Sequence, residues 1–136
     1  MTINVKWISA ALVTVSFLFY SFVGKDTPTE GLTIGDKAPA FKICGEKQLI
    51  DLKDLKGKYV LLSFWASYDA SSRKQNASLG HATSKMNNIE MVSVSFDEYK
   101  SIFHETIKKD RITTTNCFIE LEGENSELYQ TYRLHK

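Results

Sequence analysis

An apolar segment in the middle of the chain, Y-V-L-L-S-F-W at residues 59–65, most narrows the folds open to this protein. The segment is rich in β-forming residues and shows no alternation of apolar and polar side chains, which is typical of a strand covered on both faces. Strands of this kind lie in parallel sheets, where helical crossovers cover the two faces. We therefore expect residues 59–65 to form a central strand of a mainly parallel sheet.

Helix and strand patterns alternate on both sides of this segment. Residues 41–44 and 48–52 are predicted to form a β-hairpin ahead of it, with a polar turn before residue 59. Alternation of this kind indicates an α/β domain with right-handed crossovers. The elements predicted after the segment are a helix at 70–86, a strand at 89–96, a helix capped by Asp97 and ending at Lys108 and Lys109, a strand at 117–121 and a short helix capped by Ser126.

Both longer helices carry apolar residues that are predicted to support packing, and those of the second helix have helical spacing. Gly80 lies within the first of them and destabilises a helix interior. The predicted packing residues are Ala77, Leu79, Ala82 and Met86 in the first helix, and Tyr99, Ile102, Phe103 and Ile107 in the second.

The N-terminal region is predicted to be a targeting segment and not part of the domain. Residues 7–23 carry no charge and follow Lys6, a pattern typical of a secretory signal peptide or an uncleaved signal-anchor. We predict such a segment at residues 1–24, a polar linker at 25–38 and a domain at 39–136. Export would place the domain outside the cytoplasm, and residues 7–23 would attach it to a membrane if they are not cleaved.

The charge balance and the histidines argue against two classes of ligand. With 17 Lys and Arg residues against 16 Asp and Glu, the chain lacks the basic excess that nucleic-acid binding requires. His81, His104 and His135 are scattered, and no His or Cys spacing suggests a metal ligand set. We predict no nucleic-acid partner, no metal and no other cofactor.

The candidate site lies where the strand at 59–65 meets the following helix, within F-W-A-S-Y-D-A-S-S-R at residues 64–73. In parallel α/β sheets, sites form beyond the carboxyl ends of strands, and the start of a helix favours an anion. A cysteine there would be a reactive thiolate, but this stretch holds no cysteine. Asp69 is predicted to cap the helix instead.

The sequence G-K-Y-V-L-L-S-F-W-A-S-Y-D-A-S-S-R-K at 57–74 resembles the core segment of extracytoplasmic thioredoxin-like proteins, the TlpA/ResA thiol-disulfide oxidoreductases and the related AhpC/TSA redoxins. In that family, F-W-A-S is followed by an aromatic residue, Cys, two residues, Cys and Arg. Here Trp65 belongs to the shared motif, and Tyr68 and Arg73 occupy the aromatic and basic positions. The two cysteine positions hold Asp69 and Ser72.

The resemblance extends from about residue 34 to the end of the chain. It implies a thioredoxin-like fold with an N-terminal β-hairpin, and a location in the bacterial cell envelope on the periplasmic side. Family members continue into a cis-proline loop, two more strands and a helix, which we expect to be lacking here. Without them, one edge of the strand at 59–65 would be exposed and would favour pairing with a second chain or another envelope protein.

The two substitutions predict that the family's dithiol chemistry is absent at this junction. Thiol-disulfide exchange requires an attacking thiolate and a second, resolving thiol, and neither Asp69 nor Ser72 supplies sulfur. We therefore expect a binding module without turnover, in which Asp69 either only caps the helix or also imitates the charge of a thiolate. The alternatives are an active redox protein using Cys44 and Cys117, and a non-functional truncated remnant.

Cys44 and Cys117 are the only cysteines. The resemblance implies that their strands are neighbours in one sheet, which would permit a disulfide. Two buried free thiols that pack as small apolar residues are the alternative that we favour.

Overall fold

A computed structural model describes residues 28–45 and 48–134. The predicted targeting segment at 1–24, the start of the predicted linker at 25–27, and His135 lie outside these described residues. Within the described ranges, no helix combines the length and the apolar character that crossing a membrane requires. The chain divides into two compact units at the bond between Lys37 and Ala38.

The described part of the first unit, residues 28–37, is a closed turn in the predicted linker. The backbone N–H of Gly31 donates to the Lys37 carbonyl, and the Lys37 N–H donates to the Thr29 carbonyl, both at 3.0 Å. The Asp36 carboxylate closes the turn from inside, accepting hydrogen bonds from the Thr29 hydroxyl at 3.3 Å and the Thr33 N–H at 3.1 Å. A short acidic side chain that accepts from nearby backbone donors is a common way to stabilise such turns.

The second unit confirms the predicted order of hairpin, strand, helix, strand, helix, strand and helix. Most boundaries differ from the prediction by one to three residues, as expected for element ends. The turn before the first parallel strand contains a short 3-10 helix, Leu52–Leu55, and a second one, Gly123–Asn125, precedes the last helix. The remaining elements are β1 (Lys42–Cys44), β2 (Leu49–Asp51), β3 (Tyr59–Trp65), α1 (Ala70–Thr83), β4 (Ile89–Ser95), α2 (Lys100–Asp110), β5 (Asn116–Ile119) and α3 (Glu127–Thr131).

The main sheet is parallel, with the strand order β3-β4-β5. Its register pairs Tyr59 with Ile89 at the start of β3, and Val92 with Asn116 at the start of β5. Among the described strands β4 is therefore central, and the prediction of a central position for β3 is wrong. The apolar run predicted that both faces of β3 are covered, and most of its side chains are half-buried. Along its edges, β3 pairs with β4 on one side only among the described strands. The antiparallel hairpin β1–β2 forms a sheet of its own.

The two faces of the main sheet are covered differently. Alternate side chains of β4 and β5 pack with the inward-facing residues of the hairpin, with Ile43 directly opposite Ile50 in its register. Helices α1 and α2 cover the opposite face, because the two crossovers carry them to that side. The apolar core comprises Phe41, Ile43, Ile50, Val92, Val94, Phe118 and Leu128.

Helix α1 packs through a different face from the predicted one. Its buried residues are Asn76 and Gly80, whereas Ala82 and Met86 are exposed and the helix ends at Thr83. A Cβ atom on Gly80 would lie only 2.7 Å from the Thr114 hydroxyl oxygen, so the helix approaches that segment closely because this position has no side chain. The apolar residues predicted to pack are therefore not the most buried residues of α1. Gly80 is, together with Asn76, because the absence of a side chain at Gly80 lets the helix backbone approach Thr114 closely.

Helix α2 also differs from its prediction. It begins at Lys100, its N-cap residue Tyr99 makes no side-chain capping hydrogen bond, and Asp97 is not its cap. Phe103 is buried as predicted, but Tyr99 and Ile102 are 61% and 46% exposed. Helix α2 ends as expected, with two lysines in its last turn. The predicted cap of α3 is also present, since the Ser126 hydroxyl oxygen accepts the Tyr129 N–H at 3.1 Å. The predicted α/β fold class is confirmed, with a three-stranded parallel sheet, a β-hairpin and flanking helices.

Candidate functional site

The junction between β3 and α1 is built on a capping interaction of Asp69. Its carboxylate oxygen Oδ1 accepts the backbone N–H of Ser71 at 2.9 Å, and its carbonyl accepts the N–H of Arg73 at 3.1 Å. The prediction that Asp69 caps the helix is confirmed. Its side chain is exposed, and the neighbouring Ser72 hydroxyl and the Ser71 N–H lower the pKa of its carboxyl below the usual value. The helix therefore begins with a carboxylate that stays ionised at neutral pH.

Ser72 lies one turn into the helix and is tied to the backbone on both sides. Its hydroxyl donates to the Asp69 carbonyl at 3.1 Å and accepts the Ala66 N–H at 3.4 Å. These two bonds connect the loop after β3 to the first turn of α1. The serine acts here as a local structural residue, and it offers no sulfur to resolve a mixed disulfide.

Arg73 points away from the capping carboxylate and connects three segments. Its Nε and Nη2 donate to both carboxylate oxygens of Asp110 at 2.8 and 2.6 Å, and its Nη1 donates to the Ser67 carbonyl at 3.3 Å. This bidentate pair lowers the pKa of the Asp110 carboxyl and raises that of the Arg73 guanidinium. Sequence reasoning missed Asp110. Its position at the end of α2 was the available signal, because a carboxylate there opposes the helix dipole and needs a cationic partner.

Asp97, which the sequence predicted as a helix cap, instead holds the loop after β3. It is 4% exposed, and its carboxylate accepts the Ser67 N–H at 2.7 Å, the Ser67 hydroxyl at 2.6 Å and the Ser95 hydroxyl at 2.6 Å. Burial of a carboxylate is unfavourable unless hydrogen bonds replace its water, and three short ones do so here. Asp97 therefore joins the carboxyl ends of β3 and β4, where the site lies.

Trp65 lies beneath the junction and is almost fully buried. It is 3% exposed, and its indole N–H donates to the Ser93 hydroxyl oxygen at 2.9 Å. The Ser93 hydroxyl donates in turn to Asn76 Oδ1 at 2.8 Å, and Cys117 Sγ lies 3.6 Å from the same Ser93 oxygen. This hydrogen-bond network connects α1 with all three strands of the sheet. Asn76 Nδ2 has no partner within the described ranges.

An open groove of about 850 Å³ lies at the start of α1, beside the carboxyl ends of β3 and β4. Tyr68, which is 70% exposed, stands at its end beside Asp69. Four of the five predicted junction residues, Trp65, Tyr68, Asp69 and Ser72, therefore line one groove, and Arg73 does not. Sequence reasoning did not identify the opposite wall, since it comes from segments that follow β4 and β5 much later in the chain. That wall comprises Phe96, Glu98, Gly123, Glu124, Tyr129 and Leu134.

The two cysteines lie elsewhere. Both are free thiols, and Cys44 is exposed, so the expectation of two buried thiols is wrong for Cys44. The implied adjacency of their strands in one sheet is also wrong, because β1 pairs only with β2 within the described part of the chain. The hairpin contacts β5 through side chains, with Gln48 Nε2 donating to Asn116 Oδ1 at 2.8 Å. Burial raises the pKa of the Cys117 thiol to about 11.

Comparisons with known proteins agree with this architecture. The model of the AhpC/TSA family matches residues 34–135. No curated protein matches the sequence significantly.

Three solved structures are similar to this chain. A thioredoxin-like protein from Parabacteroides distasonis is 41% identical, with a TM-score of 0.68 over 79% of this chain and 77% of its own. A thiol-disulfide oxidoreductase from Bacteroides fragilis is 27% identical, with a TM-score of 0.62 over 73% of this chain and 76% of its own. A secreted disulfide oxidoreductase from Mycobacterium tuberculosis is 16% identical and shares the fold, with a TM-score of 0.59 over 69% of this chain and 68% of its own.

The family model matches most of the chain, and the thioredoxin-like protein from Parabacteroides distasonis is similar to it in both sequence and fold. The chain therefore belongs to the AhpC/TSA family of thioredoxin-like, thiol-disulfide oxidoreductase-related proteins.

Proposed function

We propose that this protein is an extracytoplasmic thioredoxin-like binding module that does not exchange thiols at the β3–α1 junction. The observation that carries the proposal is the chemistry at the start of α1, where a capping carboxylate and a backbone-bonded hydroxyl stand at Asp69 and Ser72. Neither group can form or resolve a mixed disulfide. The family's cysteine positions are thus occupied by side chains that stabilise the helix start.

The surroundings of the junction support a binding role. Asp97 accepts the Ser67 N–H and Arg73 donates to the Ser67 carbonyl. These two hydrogen bonds give the loop after β3 a defined position. An exposed tyrosine and an ionised carboxylate, Tyr68 and Asp69, stand next to each other at the mouth of the groove. Tyrosine is among the residues enriched at protein-binding surfaces.

The proposed partner is another envelope protein or a second chain that pairs with the free side of β3. Strand β3, Tyr59–Trp65, pairs with β4 alone among the described strands, and its last two residues, Phe64 and Trp65, line the groove. Unpaired strand edges favour the addition of a further strand.

The proposed location is the bacterial cell envelope, on the periplasmic side. The supporting observations are the uncharged segment at residues 7–23 and the similarity to a secreted disulfide oxidoreductase. Fusion of residues 1–30 to a reporter that is active only after export would test this part separately.

The redox part of the proposal is tested by insulin reduction. The natural protein should show no activity above the buffer, and the Asp69→Ala, Ser72→Ala double variant should be the same. The Asp69→Cys, Ser72→Cys double variant should gain dithiol activity, because the scaffold around the junction is in place. Insulin reduction that is lost in the alanine double variant and retained in a Cys44→Ser, Cys117→Ser variant would contradict a catalytically silent junction.

The binding part is tested by recovery of partners from an envelope extract on immobilised protein. The Asp69→Ala variant should recover less of the partner than the natural protein, if the carboxylate imitates a thiolate. The Asp54→Ala variant is the matched control, since Asp54 is an exposed carboxylate of the 3-10 helix before β3. Equal recovery by all three proteins would limit Asp69 to its capping role.

A second candidate function uses the natural cysteines. Cys44 and Cys117 line one cavity, which is the observation in its favour. A raised pKa of about 11 for Cys117 argues against dithiol cycling at neutral pH, because the thiol form is not the nucleophile. A third candidate, a non-functional remnant, predicts that the purified chain does not unfold cooperatively.

A further inference from the structure

The groove at the start of α1 has an apolar floor made largely of aromatic rings. The ring centroids of Phe64 and Phe96 lie 5.9 Å apart, and Tyr129 meets Phe96 edge-to-face at 5.4 Å. All three side chains are half-buried, so each keeps accessible surface on the groove that it lines. Apolar and aromatic linings of concave surfaces are typical of binding sites. The floor is therefore suited to contact with apolar parts of a partner.

The charged residues that line this groove all have the same sign. They are the exposed carboxylates Asp69, Glu98 and Glu124, which come from three separate segments of the chain. No lysine, arginine or histidine lines the groove among the described residues. In the same part of the chain, neither Glu98 nor Glu124 forms an ion pair. The described walls therefore place negative charge, without a balancing cation, next to apolar surface.

Arg73, four residues after Asp69, does not balance this charge. Its guanidinium is bound to both carboxylate oxygens of Asp110 and donates to the Ser67 carbonyl. Hydrogen bonds from Ser72 and from the Ser71 N–H lower the pKa of the Asp69 carboxyl, which stays ionised at neutral pH. The negative charge at the start of α1 is therefore available to a partner.

A chain segment that carries a basic side chain among apolar ones matches both features of the groove. The cation of a lysine or arginine is attracted to carboxylates and to the faces of aromatic rings. Its methylene stem and the neighbouring apolar side chains can cover the rings. Because the groove is open and not an enclosed pocket, an extended segment fits it better than a small molecule does.

We propose that the groove binds a basic segment of another envelope protein, with a lysine or arginine side chain between the carboxylates and the aromatic floor. This inference rests on the proposed function as a binding module, and it specifies the chemistry of the partner. Charge complementarity of this kind contributes specificity, since an acidic segment is repelled by the same three carboxylates.

NMR titration of the full chain with the blocked peptide Ac-Ala-Leu-Lys-Leu-Arg-Ala-NH2 tests the proposal. We expect saturable shifts of the backbone amides of the groove residues. The Glu98→Gln, Glu124→Gln double variant should bind about three- to tenfold more weakly at physiological salt, since each exposed carboxylate contributes modestly. Glutamine keeps the size of both side chains, and an unchanged thermal unfolding transition excludes a folding defect as the cause.

Two matched controls separate the groove from general charge. The Glu105→Gln, Glu122→Gln double variant removes two exposed carboxylates that do not line the groove, and it changes the net charge equally. Its affinity should stay within about twofold of the natural chain, because salt screens distant charges. A peptide with Gln in place of Lys and Arg should bind the natural chain more weakly and should not distinguish it from the groove variant. A chain that ends at Leu134 should bind the basic peptide equally well, which shows that the described walls are sufficient.

Several outcomes would overturn the proposal. These are equal weakening by the two double variants, equal binding of the two peptides, peptide-induced shifts outside the groove, and loss of binding in the chain that ends at Leu134. Shifts of the groove amides with protein concentration alone would assign the groove to a second copy of the chain instead. If the basic peptide does not bind while partner recovery from the envelope extract still depends on Asp69, this inference fails and the proposed function stands. Absence of both would remove both.

Discussion

The two faces of strand β4 are both buried, yet they are built from opposite chemistry. On one face, Val92 and Val94 pack with Phe118 in the apolar core beneath the hairpin. On the other, Ser93 and Ser95 direct their hydroxyls to side chains of α1 and of the loop after β4. All five side chains are at most 2% exposed.

The difference separates what makes the domain stable from what positions its site. Apolar burial is non-directional and stabilises any arrangement that removes the same area from water. Hydrogen bonds require defined distances and angles, so the serine face specifies where Trp65 and the loop after β3 lie. Variants on the two faces should therefore differ in what they disturb.

The largest effect is expected on the apolar face. Phe118→Ala should lower the free energy of unfolding by about 3–5 kcal/mol, because it removes a fully buried ring and leaves a cavity. Urea denaturation measures the change. Leu121→Ala, at a position that is 50% exposed, should change it by less than about 0.5 kcal/mol. Similar losses in the two variants would show that the core is not where the structure places it.

A smaller loss with a local signature is expected on the polar face. Asp97→Asn replaces one acceptor oxygen by a donor amide, and should lower the free energy of unfolding by about 2–4 kcal/mol. The Ser67 amide proton should also exchange faster, since its bond to the Asp97 carboxylate is lost or weakened. Glu98→Gln, at the exposed neighbouring position, is the control and should change neither quantity. Unchanged exchange at Ser67 would contradict the positioning role of Asp97.

At the start of α1, Asp69→Ala should lower the Tm by a few degrees, because the Ser71 N–H loses its acceptor. Asp69→Ser should change the Tm much less, since serine is also a good N-cap. Thermal unfolding followed by circular dichroism compares the two. A larger loss with serine than with alanine would contradict the capping geometry, and the pair separates the cap from the charge in binding experiments.

The smallest effect is expected from the Arg73–Asp110 pair, and it depends on pH. The pKa of Asp110 is lowered in the folded chain, so the pair stabilises the fold above the unfolded value of 3.8, and this stabilisation is lost as the pH falls through the lower folded value. Asp110→Asn should therefore cost about 0.5–1 kcal/mol at pH 7 and nothing at strongly acidic pH. Denaturation curves at both pH values test this, and a difference that grows on acidification would contradict the assigned pair.

Local features of the sequence predicted much of the domain. The order of strands and helices followed from hydrophobic patterns, and the caps at Asp69 and Ser126 followed from residue type at a predicted helix start. Both kinds of signal depend on residues within a few positions of each other, and the structure confirms them. The resemblance to thioredoxin-like proteins, carried by residues 57–74, predicted the family that the comparisons confirm.

The errors share a physical cause. Asp97 has a sequence context suited to a helix cap, but its partner Ser67 is 30 residues away and satisfies it better in the folded chain. The α1 contact face was assigned to apolar residues, whereas close approach at Gly80 and a hydrogen bond from the Ser93 hydroxyl to Asn76 determine it. Neither choice can be read from periodicity, because each depends on which segment lies opposite.

The sequence by itself determined the α/β order, the absence of sulfur at the family's two cysteine positions and the helix start at Asp69, because these depend on residue identity and short-range pattern. Only the tertiary structure decided that Arg73 pairs with Asp110, 37 residues away, and that the cysteines line a cavity other than the groove at the junction. Packing brings such partners together from separate elements, and their pairing has no local signature in the chain.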